Sequence, residues 1–243
     1  MTCTIGIIGF GRFGRLMARY LAVDFTVRAH DPSVGEADIR AAGAAPAPLE
    51  AAAAAEVAIL AVPISKMEGV LSRVAPYLTP GSLLLDVCSV KEMPLAWMLQ
   101  AAPASVELIG THPMFGPDSA ADSLQGRKIV LCPVRVQDAR LTRVRGYLAS
   151  KGLQVIETTA VEHDRQIAVS LALTHVIGRS LGRMGARPQE IDTEGYQRLL
   201  RILEVVEHDT WQLFEDMNRF NPHAAETRQR FMQALAEIGA KLG

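Results

Sequence analysis

The chain predicts a doubly wound parallel α/β sheet followed by an all-helical domain, and three observations carry that prediction. Short runs of Val, Ile and Leu recur between segments with apolar residues at helical spacing through residues 1–157. A G-x-G-x-x-G pattern, "GFGRFG", closes the first run and opens the first helical segment. From 158 to 243 the β-branched runs stop and long helical patterns take over. Strands alternating with helices are the signature of parallel strands joined by crossover helices, whereas unbroken 3.6-residue periodicity belongs to helix packed on helix.

The elements follow in order. Ile5–Ile8 is an apolar run ended by glycine, and "RFGRLMARYLA" after it has helical spacing. "FTVRAHD" alternates and stops at Asp-Pro, as a second strand would. "EVAILAV", "SLLLDVC", "VELIGT" and "RKIVLC" are further strands. Residues 41–55, mostly alanine with prolines, read as a helix plus a short connection, because alanine is the best helix former and parallel strands need a crossover. "AVEHDRQIAVSLALTHVIGRSLGRMG" predicts a long helix, and two more flank "NRFNPHA". A helical part this short has little core of its own, which predicts packing on the first domain and on a second copy, a homodimer.

Composition narrows the function. With 25 basic and 26 acidic residues there is no broad electrostatic footprint for nucleic acid or an anionic membrane. No apolar run reaches the roughly 18 residues a membrane span needs. The three cysteines, Cys3, Cys88 and Cys132, are widely separated, which suggests neither a disulfide framework nor a zinc site. The expected partner is a small molecule, and the expected compartment is the cytoplasm.

Gly9, Gly11 and Gly14 have the spacing of a Rossmann-type dinucleotide loop. Gly9 makes the turn, Gly11 lets the backbone approach a pyrophosphate, Gly14 permits close packing of the helix, and the anion rests on the helix N-terminus. Phe10, Arg12 and Phe13 complete that cradle. Asp31 falls 22 residues after Gly9 at the end of the second strand, where a carboxylate accepts from ribose hydroxyls. It favours NAD, since a 2′-phosphate would meet its charge; Arg12 and Arg28 leave NADP open. Val62 and Pro63 in "AVPISK", and Ser89 and Lys91 in "DVCSVK", end strands at the sheet's carboxyl edge, where dinucleotides lie. A capping serine and a solvated lysine are the alternative reading of the last two.

None of the six histidines forms H-E-x-x-H or a Cys/His cluster, so no metal is expected. His112 stands in "GTHPMFGPD" just past a strand, in a loop that its prolines stiffen. His175 lies in the long helix four residues before Arg179, on the same face; a satisfied core histidine is the competing reading.

"GFGRFG", "AVPISK", "DVCSVKEMP", "GTHPMFGPDS" and "EHDRQIAVSLALTH" occur in that order, and through them almost the whole chain resembles the prephenate/arogenate dehydrogenase family of tyrosine biosynthesis. The resemblance implies a Rossmann domain over 1–157 and a helical dimerisation and substrate domain over 158–243. It implies oxidative decarboxylation of a cyclohexadienol to a phenol with NAD, or NADP, as hydride acceptor. His112 then takes the proton of the ring hydroxyl, Ser89 contacts the same hydroxyl, and His175 lies on the substrate side. Many bacterial members hold the ring carboxylate with an arginine in a "T-R-I-A" segment. Here the corresponding stretch reads "EVVEHDTWQLF", which leaves Lys91, Arg179 and Arg198 as candidates. The motifs look closer to plant-type arogenate dehydrogenases. Asp164, at the start of the long helix and three turns before His175, could serve a substrate amine; an aspartate favoured by the helix dipole is the other reading. A β-hydroxyacid or imine reductase, and a non-catalytic dinucleotide sensor, are the alternative functions; "THPMFGP" is foreign to the former, and Ser89, His112 and His175 together argue against the latter.

Overall fold

The structure, a computed structural model, describes residues 3–243. The chain forms two compact units, one ending at Ala160 and the other spanning Val161–Gly243.

The first unit is built on an eight-stranded sheet. Its strands are β1 (Thr4–Ile8), β2 (Thr26–His30), β3 (Ala45–Pro46), β4 (Val57–Leu60), β5 (Leu83–Asp86), β6 (Glu107–Pro113), β7 (Lys128–Arg135) and β8 (Gln154–Glu157). The order β3-β2-β1-β4-β5-β6-β7-β8 reverses direction between β1 and β4, which makes their carboxyl ends the topological switch point. The helices are α1 (Arg12–Leu21), α2 (Glu36–Ala41), α3 (Leu49–Ala53), α4 (Met67–Val74), α5 (Glu92–Ala101) and α6 (Asp138–Ser150).

Two features depart from the expected sheet. The β6–β7 pair is antiparallel, while every other pair is parallel. The connection from Pro113 to Lys128 contains no crossover helix, so the chain simply turns back. The alanine-rich segment 41–55 holds the expected helix, α3, and its connection, with Gly43 at φ 87° and the two-residue strand β3 added before the helix.

Ile5, Ile7, Phe10, Ala18, Val27 and Ile59 form one buried cluster with α1, and Leu83, Ile109 and Leu131 pack beneath Val144 and Leu148 of α6. Between α1 and α6 a cavity of about 480 Å³ lies against the sheet, lined in part by Leu83, Leu85 and Val87 of the β5 segment and by Thr111 and Pro113 of β6. Side chains alternate across a strand, so Asp86 and His112 belong to the opposite face, toward α5. Gly110, two residues before His112, confirms the assignment: a Cβ there would stand 2.9 Å from Leu95 of α5.

The second unit contains α7 (Ala160–Ile167), a π-helical turn at Ala168–Ala172, α8 (Leu173–Arg183), α9 (Glu194–Glu207), α10 (Trp211–Arg219) and α11 (Ala224–Ala240). The π-turn divides what the sequence predicts as one helix. Helices α8 and α9 approach closely because Gly178 has no side chain; a Cβ there would come within 2.6 Å of Val206 Cγ2. Threonines start the next two helices: Thr193 accepts from Tyr196 N at 3.2 Å, and Thr210 from Leu213 N at 3.1 Å.

Candidate active site

The glycine-rich loop leaves β1 at the switch point. Gly9 adopts φ 97°, and a Cβ on it would stand 2.4 Å from the Ala61 carbonyl oxygen, so the turn nests against the Ala61–Val62–Pro63 segment after β4. A Cβ on Gly14 would meet Gly9 O at 2.4 Å, which is why α1 can begin so close to the turn. Gly11 caps α1 without a side-chain hydrogen bond, no acidic residue stands in the first turn, and nothing lies within 4 Å of where its Cβ would be. Open space over an uncapped helix N-terminus is an anion cradle of the kind a pyrophosphate fits.

Asp31 is tied to this loop. Its Oδ2 accepts from Phe10 N at 2.7 Å, while Oδ1 accepts from Ser33 N at 2.9 Å and Ser33 Oγ at 2.6 Å. Burial pushes its carboxyl up, but the Ser33 and Phe10 hydrogen bonds outweigh that and hold it below the usual carboxylate range. It is therefore ionised at neutral pH, and Oδ2 retains capacity to accept from a further hydroxyl. The side chains of Phe10, Arg12 and Phe13 all contact the protein. Phe10 is fully buried, Arg12 pairs with Asp118, and the Phe13 ring lies 6.1 Å from that of Phe115. What Phe10 offers a ligand is backbone, whereas the Arg12 side chain is more than half exposed. The two outer contacts join the first turn of α1 to the loop that follows His112.

Ser89 follows the end of β5, and His112, expected in a loop, is instead the penultimate residue of the neighbouring strand β6, whose register pairs Asp86 with Gly110. Both are buried, at 7% and 6% exposure. The Ser89 hydroxyl has no hydrogen-bond partner among the described residues. An unsatisfied buried hydroxyl costs about 1–3 kcal/mol, a cost a ligand oxygen would remove.

Beneath them lies a network that sequence reasoning missed. Asp86 and Lys91 are both wholly buried and form an ion pair. Lys91 Nζ also donates to Thr111 O at 2.7 Å, Thr111 N to Asp86 Oδ1 at 3.2 Å, Thr111 Oγ1 to Asp86 O at 2.5 Å, and Cys88 N to Asp86 Oδ2 at 2.9 Å. Lys91 is thus not a solvated lysine, and its ammonium is directed into the sheet rather than toward a bound carboxylate. The signal was present: an aspartate that ends a fully apolar run must find a partner.

In the second unit, His175 Nε2 stands 3.4 Å from Asp209 Oδ2, and its ring stacks on Phe214 at 6.3 Å. Nδ1 of this buried histidine has no hydrogen-bond partner. Arg179 lies 5.0 Å from the ring centres of both Trp211 and Phe214 and donates to the carbonyls of Asp209 at 2.8 Å and Thr210 at 3.2 Å. It makes no ion pair among the described residues, so its charge is not neutralised. The sequence pairing of His175 with Arg179 holds, and Asp209, held in the turn before the Thr210 cap, joins them.

Asp164 and Arg198 are not brought to this cluster. Asp164 is fully buried and bonded to His163 Nδ1 at 2.7 Å, and its carbonyl accepts from Asn221. The carboxylate is thereby tied to His163 inside the unit. Arg198 is exposed on α9 and paired with Glu194 at 2.6 Å.

Residues 18–157 match the family described as prephenate dehydrogenase, nucleotide-binding domain, and residues 180–243 match a TYRAAT1-like C-terminal domain. Arogenate dehydrogenase 1, chloroplastic, of Arabidopsis thaliana is 32% identical over 98% of this chain, which spans 39% of that relative's length. The 4-amino-4-deoxyprephenate dehydrogenase of Streptomyces pristinaespiralis is 30% identical over 83% of the chain and 68% of its own length. Among solved structures, prephenate dehydrogenase from A. aeolicus in complex with hydroxyphenyl propionate and NAD+ superposes with a TM-score of 0.79, covering 100% of this chain and 91% of that one, at 16% identity. The glycine cradle and these matches agree, and the chain belongs to the prephenate dehydrogenase family.

Proposed function

We propose that the protein carries out the NAD-dependent oxidative decarboxylation of prephenate, arogenate or both. One observation carries the reading: a buried, unpartnered hydroxyl and a buried imidazole occupy adjacent strand ends on the carboxyl edge that also bears the dinucleotide cradle. A bound nicotinamide supplies the hydride acceptor. Ser89 hydrogen-bonds the ring hydroxyl and His112 removes its proton as hydride leaves the same carbon; the electrons of the bond to the ring carboxylate then enter the ring, and carbon dioxide departs. The developing phenolate recovers a proton, and aromatisation drives the loss of carbon dioxide. The test is absorbance at the reduced-nicotinamide band on mixing protein and NAD with prephenate or with arogenate. Silence with both substrates removes the reading.

The cofactor is read as NAD from the ionised Asp31. Asp31→Ser is expected to narrow the preference for NAD over NADP by roughly tenfold or more, as the repulsion of a 2′-phosphate is lost. Because the carboxyl lies below its usual range, the wild-type preference should stay flat between about pH 6 and pH 8. Equal efficiency with both cofactors in the wild type would contradict the assignment.

Substrate choice is assigned to the second unit. Arg179 suits a carboxylate and Asp209 an amine, the group by which arogenate differs from prephenate. Asp209→Asn is expected to shift the arogenate-to-prephenate efficiency ratio toward prephenate by roughly tenfold, the worth of one charge-assisted hydrogen bond. Asp164→Asn should leave that ratio unchanged. Comparing kcat/KM on both substrates for the two variants decides it.

The protein is further read as a cytoplasmic homodimer. Leu199, Val205, Met232, Leu235 and Ile238 are exposed on α9 and α11, apolar surface suited to a second copy. No helix among the described residues is long and apolar enough to cross a membrane.

A further inference from the structure

We infer that the buried Lys91–Asp86 pair is a positioning device for proton transfer, holding Ser89 and His112 in mutual register. The inference rests on the reading of His112 as the base. Five connections converge on one carboxylate and one peptide. Asp86 ends β5, and its Oδ2 takes both the Lys91 ammonium and the Cys88 amide, which fixes the turn containing Ser89. Its Oδ1 takes the Thr111 amide, and its backbone oxygen takes the Thr111 hydroxyl, which fixes the residue immediately before His112. Lys91 closes the circuit by donating to Thr111 O, the carbonyl of the peptide whose nitrogen belongs to His112.

Lys91 also occupies the N-cap of α5, where its charge gains nothing from the helix dipole; Glu92 is the residue that suits that dipole. Burying a lysine and an aspartate completely is costly, and apolar residues of similar volume are often as stable. Stability alone therefore does not account for an ion pair at this place. It does join three elements, the β5 end, the β6 end and the start of α5, at the point where a displacement of about 1 Å in a catalytic group can cost on the order of a hundredfold in rate. The pair reaches the two residues through the backbone of Cys88 and Thr111.

Two variants test this, Lys91→Met and the gentler Thr111→Val, which removes one hydroxyl and leaves the ion pair in place. Both are compared with the wild-type full chain for melting temperature, NAD dissociation constant, kcat and KM, and for the pH titration of the His112 ring by nitrogen NMR. Each folded variant is expected to bind NAD within about twofold of wild type and to lose roughly ten- to a hundredfold in kcat with little change in KM, with an altered His112 titration. A folded variant with kcat within about twofold of wild type and an unchanged ring titration overturns the inference. If Lys91→Met does not fold, Thr111→Val decides by the same measures. If the wild type proves inactive on both substrates, the function reading fails, and the ring titration alone decides the positioning role: an unaltered His112 signal in a folded variant refutes it.

Discussion

His112→Asn is expected to bind NAD within about twofold of wild type and to lose turnover by a factor on the order of 10² to 10⁴, the usual contribution of a positioned general base. Asparagine keeps a polar side chain of similar reach but cannot take a proton near neutral pH. The position itself is rigid. Thr111 is held through three of its polar atoms by Asp86 and Lys91, Pro113 has a fixed φ, and His112 pairs with Val130 in the β6–β7 ladder. The substitution should therefore leave the backbone unchanged. A fluorescence titration with cofactor, set beside single-turnover hydride transfer, separates the two effects. Turnover close to wild type would leave His112 as a structural residue of β6.

Gly6→Ala should cost about 3 kcal/mol or more of stability in the first unit, because the clash is with backbone. A Cβ at Gly6 would fall 1.8 Å from Ala52 O and 2.6 Å from Ala52 C. No rotamer change can relieve that; α3 must lift away from β1. The loop from Gly9 to Gly14 continues directly from this strand, so cofactor affinity should fall as well. Denaturant unfolding would show a lower midpoint at unchanged slope. An unchanged midpoint would mean that α3 can move without cost.

Legibility in the sequence followed the physics of each feature. Strands buried on both faces announce themselves as apolar runs, so β1, β4, β5, β6 and β7 were readable, and β2, buried on one face, was readable from its alternation. The two-residue β3 and the edge strand β8, half of whose residues are charged or polar, carry no such run. The antiparallel turn into β7 was hidden because a run of residues does not state its direction. Gly9 and Gly14 were readable because close backbone approach demands glycine at that spacing, and the structure ties Asp31 to the same loop. Lys91 was assigned to a ligand because sequence does not reveal whether a cation faces out or in. Asp164 failed for another reason. Eleven residues of ideal α-helix bring two side chains to within about 20° of one face. The π-turn at Ala168–Ala172 breaks that count, so Asp164 no longer faces where His175 does.

The same π-turn has a bearing on chain length. It accommodates one residue more than the α-helical path needs, which makes it the equivalent of a single insertion confined to one place. Helix on either side keeps the facing it would have in a chain one residue shorter. A relative lacking that residue should run from α7 to α8 as continuous α-helix with its histidine still beside the aspartate that precedes α10, so an alignment should open its gap within 168–172. An added residue between His175 and Arg179 has no such refuge. It would turn one of them about 100° from the other and dissolve the cluster that Asp209 completes.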